Sequence, residues 1–124
     1  HPSTINKMTE YGVFEELKGL KGLHFLPPLG YFQFQNLVKN AFCCVTDSGG
    51  IQEETTFAQV PCLTLRPNTE RPITIEKGTN TLLSNDVALV INYLDSIANG
   101  SYKKGEIPEL WDGKATRRIL EALA

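Results

Sequence analysis

The residues best suited to chemistry in this sequence form a short turn that contains two glycines, Asp47-Ser48-Gly49-Gly50. An apolar run over 41–46 predicts a strand buried on both faces, and the spacing after the turn predicts a helix over 50–58. Such a turn presents free backbone N–H groups to an anion, and glycine has no Cβ to block the approach. An ordinary connection with Ser48 as the helix cap is the alternative, and the turn alone leaves both open.

Two adjacent carboxylates, Glu53 and Glu54, follow the turn, and we expect them in the first helical turn, where the helix dipole favours negative charge. Successive helical residues point about 100° apart, so one shared role is not expected. A carboxylate accepts hydrogen bonds well from the hydroxyls of a ribose, whereas a phosphate would repel it. For Glu53, an ion pair or a helix-dipole role is favoured over ligand binding.

Two arginines lie in the next polar segment, beyond a predicted strand over 62–65. Pro67 and Pro72 indicate a stiff loop, and Arg71 within it could bind a phosphate with both arms of its guanidinium. Arg66 is the rival candidate, although it could instead pair with a carboxylate such as Glu70. The sequence favours Arg71 over Arg66 as the arginine that binds a phosphate.

The remaining pattern alternates helices with strands, which predicts an α/β fold with a Rossmann-like parallel sheet. The predicted strands cover 23–26, 41–46, 62–65 and 81–83, and the predicted helices cover 3–11, 31–40, 50–58, 87–97 and 114–123. Ser3 or Thr4 is expected to cap the first helix, and Asn85 or Asp86 the helix over 87–97. The inner face of that helix is predicted to be Val87, Val90, Ile91, Leu94 and Ile97.

Composition limits the classes of function. The 124 residues fit one domain, and a net charge of −2 argues against a nucleic-acid groove. No apolar run approaches the roughly 20 residues that cross a bilayer, so no membrane partner is expected. Cys43, Cys44 and Cys62 are expected in buried strands as free thiols, without zinc spacing, which suits a reducing cytoplasm.

Three segments in this order, DSGGIQEE, PCLTLRPNTERP and EKGTN, resemble the C-terminal domain of the non-hydrolysing UDP-N-acetylglucosamine 2-epimerases. The resemblance covers residues 1–124 and implies a nucleotide-binding C-terminal domain within the two-domain GT-B fold. It also implies that this chain is incomplete at its N-terminal side. Gln59 and Ser84 stand where the family commonly has glycine, so the helix before Gln59 is expected to end without its left-handed glycine.

The resemblance implies roles for individual residues. Ser48, Gly49 and Gly50 would bind the phosphates of UDP, Glu54 would bind the ribose hydroxyls, and Arg71 would belong to the nucleotide-sugar site. Phe34 would lie beside the uracil, although its helical spacing fits a core residue equally well. His1 belongs to a His-Pro-x-Thr segment that lies near the ligand cleft in relatives.

The activity that the resemblance implies is the interconversion of UDP-GlcNAc and UDP-ManNAc by elimination and re-addition of UDP, without cofactor or metal. The catalytic carboxylates are expected in the absent N-terminal domain, so no catalytic residue is assigned here and this chain alone is expected to be inactive. A cytoplasmic homodimer is implied for the full-length enzyme. The alternatives are the UDP-sugar-binding half of a GT-B glycosyltransferase, an epimerase for a modified UDP-sugar, and a non-catalytic nucleotide-sugar sensor.

Overall fold

The structure, a computed structural model, describes residues 2–84 and 86–124, without the side chain of Pro2. It divides into two compact units, His1–Phe34 and Gln35–Ala124. Its elements in chain order are α1 (Pro2–Glu10), α2 (Phe14–Lys18), α3 (Tyr31–Lys39), β1 (Cys44–Thr46), α4 (Gly49–Ala58), β2 (Cys62–Thr64), α5 (Pro72–Glu76), β3 (Asn80–Leu82), α6 (Val87–Ala98) and α7 (Ala115–Leu123).

A three-stranded parallel sheet forms the centre of the second unit, in the order β1-β2-β3. Its register places Cys44 beside Cys62, and Cys62 beside Asn80. All three strands therefore end at one edge of the sheet, and β1 leads from that edge directly into α4. This parallel sheet with flanking helices confirms the predicted α/β architecture.

Burial differs between the strands. Every residue of β2 is fully buried, whereas Val45 in β1 is 47% exposed. The prediction of a β1 strand buried on both faces is therefore wrong, because β1 is an outer strand with β2 as its one neighbour among the described residues. Cys43 precedes the strand, and burial raises the pKa of its thiol to about 12. All three cysteines are free thiols.

The predicted strand over 23–26 is wrong: these residues have no regular secondary structure. Their apolar pattern reflects packing rather than strand pairing, since the Phe25 ring contacts the Phe14 ring edge-on at 5.1 Å between centroids. The capping prediction for the first helix is also wrong, because α1 begins at Pro2 and thus contains Ser3 and Thr4. Helix α1 is followed by a turn in which Gly12 has φ 71°.

The longest helix, α6, is capped as predicted by Asp86, whose carboxylate accepts the Ala88 N–H at 3.0 Å. The other proposed cap, Asn85, lies outside the described residues. The predicted inner face is wrong in part: Val87 and Ile91 are 67% and 64% exposed. No other described element covers that side of α6, so apolar spacing identified the helix correctly but not its buried side.

The short helix α5 was not predicted. It begins at Pro72, where the fixed φ of proline favours the first helical position. None of the described helices combines the length and the apolar character that a membrane span requires.

Candidate functional site

Helix α4 begins at Gly49, directly beyond the carboxyl end of β1. Ser48 occupies the cap position with extended backbone, but its side chain makes no capping hydrogen bond. Instead, the Ser48 backbone N–H donates to Thr46 Oγ1 at 3.0 Å. Ser48 is therefore the N-cap residue by position, as its alternative interpretation predicted, but its exposed hydroxyl and the first N–H groups of α4 are not paired with each other.

A carboxylate of the chain itself lies against the start of α4. A Cβ added to Gly49 would lie only 2.6 Å from Glu70 Oε1, so glycine permits this close approach. The carboxylate also pairs with Arg66, whose Nη1 is 3.1 Å from Glu70 Oε2. Its own backbone N–H, together with Arg66 and Arg71, holds the pKa of Glu70 below its ordinary value. The start of α4 thus attracts negative charge, as a helix N-terminus should.

Glu53 and Glu54 lie in the second turn of α4, one turn later than predicted, because the helix begins at Gly49. Glu53 Oε1 is 2.9 Å from Arg71 Nε, which confirms the ion-pair interpretation of this residue. Glu54 is half-buried, and its Oε2 is buried without a hydrogen-bond partner in the described part of the chain. The two carboxylates therefore have different surroundings, and one oxygen of Glu54 is available to accept a hydrogen bond.

The two candidate arginines lie on either side of Glu70. Arg66 forms the ion pair with Glu70 that its alternative interpretation predicted. Arg71 pairs with Glu53 instead, and its Nη1 donates to the Glu70 backbone carbonyl at 3.4 Å. Ion pairs thus bring Arg71 to α4 and Glu70 to Arg66, so that two guanidinium groups and their carboxylate partners lie around the turn.

Two buried amides near this loop were not singled out by the sequence interpretation. Gln52 and Asn80 are both fully buried, and Asn80 Nδ2 donates to Gln52 Oε1 at 3.0 Å. The available signal was the recurrence of polar residues on the inward face of α4, where Gln52, Thr55 and Thr56 are its buried residues. A helix that buries amides and hydroxyls requires polar partners. Gln52 Oε1 finds them in Asn80 of β3 and Thr69 of the loop, whereas the Thr55 hydroxyl donates to the Ile51 carbonyl within α4. Gln52 Nε2 and Thr56 Oγ1 are buried without a hydrogen-bond partner in the described part of the chain.

The other predicted site residues are less constrained. Gly50 is exposed, and a Cβ there would meet only Ser48 Oγ at 3.9 Å. Phe34 is half-buried on α3 and belongs to the first compact unit, so its role beside a base stays a prediction. His1 lies outside the described residues. Across residues 2–84 and 86–124, no cluster of three His, Cys, Asp or Glu side chains could hold a metal ion.

Comparisons with known proteins agree on one family. The family model for UDP-N-acetylglucosamine 2-epimerase matches residues 1–124. The UDP-N-acetylglucosamine 2-epimerase of Methanocaldococcus jannaschii is 39% identical over 123 residues, which are 99% of this chain and 33% of that protein. The enzyme of the same name from Methanococcus maripaludis is 40% identical over 97 residues, or 78% of this chain and 26% of the relative.

A solved structure gives the same result. The crystal structure of the Methanocaldococcus jannaschii enzyme in complex with UDP-GlcNAc and UDP matches with a TM-score of 0.85 at 39% identity. The match covers 99% of this chain and 33% of that structure. This chain thus spans about a third of the length of the relatives that it matches. By sequence and by fold, it belongs to the UDP-N-acetylglucosamine 2-epimerase family.

Proposed function

We propose that this chain supplies the UDP-binding portion of a UDP-GlcNAc 2-epimerase. The observation that carries the proposal is the start of α4, where N–H groups without a Ser48 cap lie beside a loop with two arginines. In open parallel sheets, ligands bind beyond the carboxyl ends of the strands, which is where this turn lies. The relative from Methanocaldococcus jannaschii, crystallised with UDP-GlcNAc and UDP, supports the choice of ligand.

In this proposal the diphosphate lies against Ser48, Gly49 and Gly50, and Arg71 turns toward it. Glu70 then acts as the group that the diphosphate displaces, since both are anions drawn to the same helix terminus. The half-buried Glu54 accepts hydrogen bonds from the ribose hydroxyls with its carboxylate, which forms no ion pair among the described residues. Phe34 is proposed to stack on the base, as aromatic rings do with many nucleobases.

The proposed reaction eliminates UDP from UDP-GlcNAc and adds it back. A base removes the proton at C2, and the C1–O bond breaks with its electron pair leaving on UDP, which gives a 2-acetamidoglucal. UDP then attacks C1 again while an acid returns a proton to the other face of C2, which yields UDP-ManNAc. The proton-transfer groups are assigned outside this chain, because Glu53 pairs with Arg71, Glu70 pairs with Arg66, and Glu54 is reserved for ribose.

The full-length protein is proposed to act as a homodimer in the cytoplasm. Its free cysteines fit a reducing compartment. Product analysis with UDP-GlcNAc as the only substrate would distinguish this epimerisation from its two alternatives. These are an epimerisation of a modified UDP-sugar and the transfer of the sugar to an acceptor. Formation of UDP-ManNAc that carries deuterium at C2 in D₂O supports epimerisation, and the 124-residue chain alone is expected to incorporate none.

The binding assignment is tested by a matched pair of substitutions, Glu54→Gln and Glu53→Gln, in the full-length protein. Glu54→Gln removes the charge behind a charge-assisted hydrogen bond, so UDP affinity measured by calorimetry should fall by about 1.5–3 kcal/mol. Glu53→Gln breaks only the ion pair with Arg71 and should change UDP affinity much less. Equal losses from both substitutions, at unchanged thermal stability, would contradict the assignment of Glu54 to the ribose.

A further inference from the structure

A closed ring of hydrogen bonds begins and ends on the backbone of Arg71. The Arg71 N–H donates to Thr69 Oγ1 at 3.0 Å, and this hydroxyl donates to Gln52 Oε1 at 2.6 Å. The Arg71 carbonyl accepts from Thr74 Oγ1 at 2.7 Å, which in turn accepts from Asn80 Nδ2 at 3.1 Å. Asn80 Nδ2 also donates to Gln52 Oε1 at 3.0 Å, and this contact closes the ring.

The chemistry of the ring allows only one arrangement. The Arg71 carbonyl can only accept, so the Thr74 hydroxyl must donate to it and must accept from Asn80, while Thr69, which accepts from the Arg71 N–H, donates to Gln52. Gln52 must then present its oxygen, and Asn80 must present its nitrogen. Thr64 Oγ1 donates to Asn80 Oδ1 at 2.6 Å, which agrees with the same orientation of that amide.

The ring joins four parts of the molecule at one residue. Gln52 comes from α4, Asn80 from β3, Thr74 from α5, and Thr69 from the loop itself. Gln52, Asn80 and Thr74 are fully buried, where hydrogen bonds are stronger than in water and an unpaired polar group is costly. By contrast, the Arg71 side chain is 40% exposed, and its contacts are the ion pair with the half-exposed Glu53 and the 3.4 Å hydrogen bond to the Glu70 carbonyl. Arg71 is thus fixed at its backbone while its guanidinium can exchange partners.

We propose that Gln52 and Asn80 are positioning residues that hold the backbone of Arg71 so that its guanidinium meets the diphosphate of a nucleoside-diphosphate sugar. This inference rests on the proposed function, because it takes Arg71 as a ligand of the diphosphate. Gln52 and Asn80 reach the backbone N–H and carbonyl of Arg71 through the hydroxyls of Thr69 and Thr74. The effect of Gln52 on UDP binding should therefore depend on the presence of the Arg71 side chain.

A double-mutant cycle on the full-length protein tests this dependence, with the Kd of UDP measured by calorimetry. Arg71→Ala should raise Kd about 10- to 100-fold, the effect of a lost charge-assisted hydrogen bond. Gln52→Met removes the central acceptor at similar length and should raise Kd about tenfold in the native background, but not further in the Arg71→Ala background. Gln52→Glu keeps Oε1 as an acceptor and should restore near-native affinity.

Thr55→Val is the matched control, because Thr55 is equally buried on α4 but its hydroxyl donates to Ile51 O within the helix. It should lower the unfolding midpoint without changing Kd. If Gln52→Met does not fold, Thr69→Val opens the same ring at a half-buried position and replaces it in the cycle.

The outcomes separate the two proposals. An unchanged Kd in Arg71→Ala would overturn the proposed role of Arg71 in UDP binding, and with it the basis of this inference. A higher Kd in Arg71→Ala, with an undiminished further loss from Gln52→Met in that background, would overturn the positioning role alone. Loss of the Gln52→Met effect in the Arg71→Ala background supports both.

Discussion

Helices α4 and α6 differ in a way that reverses the usual expectation for apolar surfaces. α6 is rich in valine, leucine and isoleucine, yet none of its described residues is fully buried. α4 has a much weaker apolar face, yet it buries Gln52, Thr55 and Thr56 completely. The difference comes from neighbours rather than from composition: α4 packs against β2, β3 and α5, and Gln52 Oε1 accepts hydrogen bonds from Asn80 of β3 and from Thr69.

This contrast predicts that a small substitution beside α4 will lower the free energy of unfolding far more than a large substitution on α6. It also explains why the candidate site is built on α4. A helix held on its inward side by directional hydrogen bonds presents its N-terminus in one position, and precise placement is what binding of a diphosphate requires.

Among substitutions against α4 or on α6, the largest effect is expected from Gly78→Ala. A Cβ at Gly78 would lie 2.3 Å from Thr56 Oγ1 and 2.6 Å from the Thr74 carbonyl, so α4 and α5 would have to move apart. We expect the free energy of unfolding to fall by about 3 kcal/mol, measured by denaturant titration of the chain.

The control for Gly78→Ala is Gly19→Ala, where the added Cβ would make only ordinary contacts, at 3.5 Å from the Glu16 carbonyl. This variant should be close to neutral. A similarly small loss from Gly78→Ala would show that α4 is not tightly held.

An intermediate effect, of opposite sign for folding and for binding, is expected from Gly50→Ala. The added Cβ meets nothing closer than Ser48 Oγ at 3.9 Å, so the helix should gain about 0.5–1 kcal/mol of stability. UDP affinity should nevertheless fall about tenfold, or 1.4 kcal/mol, because the methyl group blocks the approach of the diphosphate. Calorimetry and thermal unfolding of the same variant measure the two effects, and unchanged UDP affinity would remove Gly50 from the site.

The smallest effect is expected from Ile91→Gln on α6. Ile91 is 64% exposed, so the substitution should change the stability of the chain by less than about 0.5 kcal/mol. Leu63→Gln, at a fully buried position in β2, is the contrasting variant and should prevent stable folding. A large loss from Ile91→Gln would mean that α6 has a partner surface in solution, and the comparison between the two helices would have to be revised.

The sequence predicted most of the helices and a parallel sheet, because regular spacing of apolar residues reports local geometry. It failed over 23–26, where packing of Phe25 against Phe14 produced a strand-like pattern without a strand. It also misjudged the buried side of α6, since spacing identifies a face but not what covers it. For the candidate site, it identified the turn and Arg71 but assigned no role to the pairing of Gln52 with Asn80, which are 28 positions apart.

Gln59 and Ser84, the two departures from the family pattern, show a further limit of prediction from the sequence. They stand where the family commonly has glycine, which left the local backbone shape open; both adopt positive φ, 58° at Gln59 and 46° at Ser84. The backbone conformation is therefore kept although the glycine is absent, at a cost of about 1–2 kcal/mol per residue. At Gln59, the side-chain amide donates to the Thr56 carbonyl at 2.6 Å, a local compensation that spacing alone does not reveal.

The ring around Arg71 also makes this loop observable by spectroscopy. Hydroxyl protons of threonine usually exchange with water too fast to be seen by NMR, but those of Thr69 and Thr74 are each held by a named acceptor, and Thr74 is fully buried. Their exchange requires local opening of the ring, so their signals report how often the loop leaves its position. Saturation transfer from water to these two protons would therefore measure the rigidity of the loop directly, without any bound nucleotide.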